Sequence, residues 1–153
     1  MTDQPTLLPW PASLTAPTGN VFVPGVPQPQ GSHKAFIIGG HAKVTESNKA
    51  LNPWRADVHA ALRTLIGNHI PIPEGPVAVD LAFTMPRRKT EPKRRTPPHT
   101  RKPDIDKLTR GILDAMTGLV FTDDAQVTYL RCTKHTAPLG DQPGVLITWR
   151  PTA

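Results

Sequence analysis

The sequence predicts an α+β domain: a small mixed β-sheet packed with two main helices. Residues 77–85 alternate apolar and small or polar side chains with a period of two, which marks a strand with one buried face. Two stretches, 52–67 and 106–116, repeat apolar residues at helical spacing. Shorter apolar runs around them are bounded by Gly and Pro and read as further strands. A chain of 153 residues suits one domain around a single core. The expected division is a flexible Pro-rich N-terminal tail over 1–19 and one folded domain over 20–153.

In the tail, Pro5, Pro9, Pro11 and Pro17 remove backbone donors and block regular structure. Val21–Val26 reads as a first strand, with Pro24 placing it at an edge or bulge. Ala35–Ile38 and His41–Val44 read as a hairpin closed by Gly39-Gly40. The first helix takes Asn52 as N-cap and Pro53 as first residue, and Gly67-Asn68 closes it. Its buried stripe is Trp54, Val58, Ala61, Leu62, Leu65 and Ile66. The Val77–Met85 strand stops at Pro86. The second helix covers Asp106–Met116, with Ile105, Leu108, Ile112, Ala115 and Met116 inward and Gly118 at its end. Val127–Lys134 and Val145–Arg150 are the last strands, joined by a Pro- and Gly-rich turn.

A net charge of +6 and a pI near 9.9 favour a polyanionic partner. The single cysteine, Cys132, excludes an internal disulfide and suits a reducing, cytoplasmic setting. The six histidines show no zinc spacing. No apolar run reaches membrane-spanning length, and no signal peptide is indicated.

The chemistry concentrates between 86 and 124. Arg87, Arg88, Lys89, Lys93, Arg94, Arg95, Arg101 and Lys102 stand against one acid, Glu91. Such a run repels itself and is expected to be mobile until a polyanion orders it. Few aromatics interleave, so the fit is to a phosphate backbone rather than to stacked bases. Directly after it, Asp104 and Asp106 lie one residue apart at the mouth of the second helix, and Asp123-Asp124 follow that helix. Mg²⁺ takes oxygen ligands and keeps several waters, so a few carboxylates suffice. In phosphodiester hydrolysis such an ion lowers the pKa of the attacking water and offsets transition-state charge. Asp123 or Asp124 completes the group only if the chain folds back after the helix. Each acid also has a plainer reading: Asp104 or Asp106 as a helix cap, Asp123-Asp124 as a turn, Asp114 as an ion-pair partner of Arg110.

Pro103-Asp104-Ile105-Asp106-Lys107-Leu108-Thr109-Arg110, Asp114-Ala115-Met116 and Asp123-Asp124-Ala125-Gln126-Val127 resemble, in order and spacing, the RusA family of Holliday-junction resolvases. Gly25-Val26-Pro27 and Val77–Pro86 resemble it more loosely. The resemblance implies a homodimeric endonuclease that cuts four-way DNA junctions with Mg²⁺ or Mn²⁺. It implies Asp104, Asp106 and Asp124 as metal-binding catalytic acids, with Asp123 a weaker candidate. Two positions depart from the family pattern: Lys107 replaces an Asn, and Arg110 replaces the catalytic Lys. Arg stays charged where Lys can give up a proton, so Arg110 is suited to electrostatic stabilisation. Lys107, on a nearby helix face, is a candidate substitute.

The leading expectation is therefore a metal-dependent endonuclease of branched DNA. Arg87 to Lys102, with Lys107 and Arg110, would grip the backbone. A non-catalytic DNA- or RNA-binding module is the alternative. A metal-dependent phosphatase or phosphotransferase on small substrates is a third reading.

Overall fold

A computed structural model describes residues 18–31, 33–67 and 74–152. The expected tail lies outside the described residues except at its end, as does Asn68. The elements in order are β1 (Gly19–Pro24), β2 (His33–Ile38), β3 (His41–Glu46), α1 (Leu51–Ile66), β4 (Val77–Met85), α2 (Ile105–Met116), a short 3₁₀ turn (Asp124–Gln126), β5 (Val127–Thr136) and β6 (Gly144–Pro151). The mixed sheet and two main helices match the expected α+β class.

The alternating strand is the centre of the sheet. The strand order is β1-β6-β4-β5, with β4 antiparallel to β6 and parallel to β5. Val77, Val79, Leu81, Phe83 and Met85 are 0–2% exposed on its inner face. Burying each such side chain contributes about 1.5–3 kcal/mol. Both helices supply the opposing surface: Leu51, Trp54, Val58 and Leu62 from α1, and Leu108, Ile112, Ala115 and Met116 from α2. A parallel neighbour needs a crossover, and α2 is that crossover between β4 and β5. The apolar link after α2 tucks Val120 and Phe121 into the core. Gly118 turns at φ +83°, and its N–H donates to the Phe121 carbonyl at 2.7 Å.

β2 and β3 form a separate two-stranded hairpin. Gly39 and Gly40 both adopt positive φ, 59° and 79°, as the two-residue turn requires. Its apolar residues do not join the core: Ile37 is 77% exposed and Val44 62%.

Three local expectations shift. The first strand is Gly19–Pro24, because Pro24 ends its pairing with β6 and Gly25 turns away at φ 134°. The first helix starts before Asn52: Ala50 occupies its N-cap, and Asn48 Oδ1 accepts from the Ala50 N–H at 3.1 Å. Pro53 then sits in the first turn, where a missing N–H costs nothing. Leu51 joins the buried stripe, and Leu65 faces solvent at 51% exposure. No helix among the described residues is long and apolar enough to cross a membrane.

Candidate active site

The N-terminus of α2 is held from several sides. The Gln30 N–H donates to the Lys107 carbonyl at 3.0 Å, tying the loop after β1 to the helix. Gly111 permits that approach, since a Cβ there would meet the Gln28 carbonyl at 3.4 Å and Leu51 at 3.2 Å. From β5, Lys134 Nζ donates to the carbonyls of Arg101 (2.9 Å) and Pro103 (2.8 Å). Thr109 Oγ1 bonds Ile105 in its own helix and meets Cys132 Sγ of β5 at 3.1 Å. Asp104 therefore stands on a backbone fixed just before it by a lysine. The sequence reading missed Lys134, which lies in phase with the half-buried Cys132 on β5.

Asp104 occupies the N-cap with extended backbone (φ −72°, ψ 143°), yet its carboxylate makes no capping bond. Asp106 lies in the first turn. Asp104, Asp106, Lys107 and Arg110 are exposed, and among the described residues no hydrogen bond or ion pair engages their side chains. The helix dipole favours carboxylates here by about 0.3–1 kcal/mol, while their proximity opposes it. Asp114 does not pair with Arg110. It binds Arg55 of α1 at 2.5 Å, which leaves the Arg110 guanidinium unengaged.

The basic segment is braced by its own side chains. Arg87 is its staple: its Nη atoms donate to the carbonyls of Pro92, Arg95 and Ala137 and to Thr96 Oγ1. Glu91 accepts from the Arg88 N–H (3.0 Å) and pairs with Arg101 (2.6 Å). Burial raises the Glu91 pKa, but these bonds outweigh it and hold the carboxyl below its ordinary range. Like charges repel, but a guanidinium also finds backbone carbonyls, and that competing effect orders the loop. Arg88, Lys89, Lys93, Arg94, Arg95 and Lys102 remain exposed, while Arg87 and Arg101 are partly withdrawn.

Between the loop after β1, the basic loop and α2 lies an open cleft of about 690 Å³. Gln28, Gln30, Asn48, Arg101, Asp104 and Lys107 are among its lining residues. His99, 7% exposed, also lines it, and burial together with the positive charges of Arg101 and Lys134 pushes its pKa down. Its Nδ1 and Gln30 Oε1 are buried without hydrogen-bond partners.

The second acidic pair is built differently. Asp123 caps the 3₁₀ turn: Oδ1 accepts from the Ala125 N–H at 2.8 Å, and Gln126 Oε1 accepts from the Asp123 N–H at 3.1 Å. The Gln126 side chain also reaches the Gly75 carbonyl just before β4. Asp124, next in the turn, is exposed with no partner among the described residues. The chain does fold back after α2, but the return begins at the far end. Asp104 stands beside the end of β5, at Lys134, and Asp124 precedes its start, at Val127. The twelve residues of α2 separate them by roughly 18 Å or more.

These residues fit a hard divalent cation carried by one or two carboxylates and completed by water and phosphate oxygens, the usual habit of Mg²⁺. Asp104 and Asp106 supply such a pair. A closed cage does not form within one chain: among the described residues no three His, Cys, Asp or Glu side chains gather to hold an ion.

The family model for endodeoxyribonuclease RusA matches residues 24–149, from the last residue of β1 into β6, and includes all four acids. No curated protein matches the chain.

Proposed function

The chain belongs to the RusA endodeoxyribonuclease family, and from that premise we propose that it hydrolyses phosphodiesters in four-way or other branched DNA, in recombination or repair. The reading includes dependence on Mg²⁺, with Mn²⁺ as substitute, a homodimeric state and a cytoplasmic setting. The observation that carries it is the unpaired Asp104 lining a cleft with Arg87, Arg88, Arg101, Lys102 and Lys107, with the unpaired Asp106 beside it in the first turn of α2.

Each residue has a distinct task. Arg88, Lys89, Lys93, Arg94, Arg95 and Lys102 hold the phosphate backbone by charge, and Arg87 and Arg101 keep their loop in shape. Asp104 and Asp106 would hold the divalent ion; Asp124, at the far end of α2, would be a further ligand, in preference to the capping Asp123, only where the second chain of the proposed homodimer brings it near. When bound, that ion polarises the phosphate and lowers the pKa of attacking water. Lys107 and Arg110 follow at successive positions along the exposed side of α2. Arg110 stays cationic, so it stabilises the developing charge on the phosphate rather than delivering a proton. Lys134 orients Asp104 through the backbone before it.

A second reading has support in the separation of the acids along α2: a basic module that binds nucleic acid without cutting it. Titrating Mg²⁺ against an end-labelled four-way junction separates the two. Metal-dependent products that vanish in Asp104→Asn, with junction binding retained, support the nuclease. Salt-sensitive binding without products at any Mg²⁺ concentration supports the module.

A further inference from the structure

We infer that the β2–β3 hairpin is an arm that enters the branch point of a DNA junction and meets the base faces exposed there. The inference deepens the endonuclease reading above and rests on it for the substrate.

The hairpin stands off the domain. β2 and β3 pair only with each other, and every residue of the two strands from His33 to Thr45 is exposed. A two-stranded ribbon with two solvated faces is marginally stable by itself. This one nonetheless carries large apolar side chains: Phe36, Ile37, Ile38 and Val44 are 41%, 77%, 54% and 62% exposed. Cross-strand partners share a face, so the register sorts the arm into two sides. Ala35, Ile37, Ala42 and Val44 make one side, apolar throughout. Lys34, Phe36, Ile38, His41 and Lys43 lie on the other. Glu46 is the single acid in 33–46. It lies at the root, where its carboxylate accepts from the Asn48 N–H at 3.2 Å.

That root is fixed beside Asp104 and Asp106. Asn48 Nδ2 donates to the Pro29 carbonyl at 2.9 Å and to Gln28 Oε1 at 3.3 Å. Gly31 lets the two segments meet, since a Cβ there would collide with the Glu46 and Ser47 side chains. Gln30 then ties the root to Lys107 of α2. Gly31 and Asn48 line the cleft that holds Asp104, and His33 lines an adjoining hollow with Asp106, Lys107 and Arg110. The arm therefore rises from the rim of the site, and its six-residue strands reach roughly 17 Å from it.

DNA held at Asp104 comes within reach of this arm, and the two sides of the arm fit two chemistries. Lys34 and Lys43 neutralise phosphates, which positions the ribbon on any DNA. The apolar tip needs an apolar surface, and in duplex DNA the base faces are covered by stacking. Wedging a side chain between stacked bases costs their unstacking. At a branch point the stack is already interrupted, so Ile37 and Ile38 meet base faces without most of that cost. A second copy of the chain is a poorer occupant, because Lys34 and Lys43 would face their like. The arm thus favours branched over linear DNA by shape, without reading sequence.

Junctions carrying 2-aminopurine, either at the branch point or within one duplex limb, test it in the absence of Mg²⁺. Wild-type protein is expected to change the fluorescence of the branch-point label and to leave the limb label as it was. The double variant Ile37→Ser, Ile38→Ser should lose that signal, bind the junction about tenfold more weakly and bind linear duplex as before. The double variant Lys34→Gln, Lys43→Gln should lower the salt slope of binding by about two, for junction and duplex alike. Both variants change only exposed side chains, so the fold is retained. An isoleucine variant that keeps the signal and the junction preference overturns the inference, as does a wild type that binds junctions without moving the branch-point label. An isoleucine variant with intact junction preference whose mass by light scattering falls makes the arm a contact between copies, which also overturns it. An unchanged salt slope overturns the phosphate contacts. A wild type that moves the label yet cuts nothing once Mg²⁺ is added sinks the endonuclease reading and leaves the role of the arm standing.

Discussion

At one end of α2 two aspartates stand without partners, and at the other an aspartate is tied into a turn. Asp104 occupies a helix N-cap and declines the bond that the position offers. Asp123 caps a shorter turn and takes it. Around the first pair the backbone is clamped by Lys134 and by the Gln30–Lys107 bond, so the free carboxylates sit on a rigid base. Around the second, the acid itself supplies the rigidity. The lesson is that an acidic pair is read by what its oxygens already accept. Carboxylates held rigidly and left unsatisfied are available to a ligand, whereas a carboxylate engaged by backbone N–H groups is structural.

The sharpest way to break this contrast is Asp104→Asn. It removes a charge from the free pair while keeping shape, and the ion's contribution is several kcal/mol. Cleavage of a labelled junction should fall roughly 10³-fold or more, with binding retained in a gel-shift assay. Undiminished cutting would place the chemistry elsewhere. Next in size is Lys134→Met, which strips the donor from two carbonyls and loosens the base of the site. Urea denaturation should show a loss of about 2 kcal/mol, and cleavage should drop about tenfold. A stability loss with an unchanged rate would separate the lysine from the site.

Smaller effects sharpen the other end. Asp123→Ala should cost about 1 kcal/mol, the worth of a cap, whereas Asp123→Asn, also a capping residue, should cost little in stability and leave cutting near wild type. A large rate loss in Asp123→Asn with stability intact would make that acid a ligand. The smallest effect concerns His99. Its folded pKa is lowered, so the unfolded chain binds more protons between that value and the ordinary value of about 6.5. Stability from this group is present above that window and is lost as pH falls through it. Melting temperatures at pH 7 and pH 5.5 should therefore differ less in His99→Asn than in wild type. An equal difference would show that His99 does not titrate between the states.

Much of the fold was legible because it is local. The period-two run of β4, the helical stripes of α1 and α2, and the Gly39-Gly40 turn are set by neighbours in sequence. The helix start was misread because a turn at Asn48, whose Oδ1 accepts from the Ala50 N–H, leads the chain into the helix two residues before the Asn52-Pro53 signal. Loop order was illegible for a different reason: residue types display like charges but hide the backbone carbonyls to which Arg87 donates. The four acids were visible as residues, and their free or engaged state was not. Nor was the distance between the pairs, which follows from β5 running parallel to β4 with α2 between them. A motif spelled in order along the chain can be divided by a helix in space.

An anomalous difference map from crystals soaked in Mn²⁺ tests the central claim most directly. The account predicts a peak within coordination distance of the Asp104 or Asp106 carboxylate, on the rim of the basic cleft. Manganese bound only elsewhere, with both of those carboxylates bare, would contradict it.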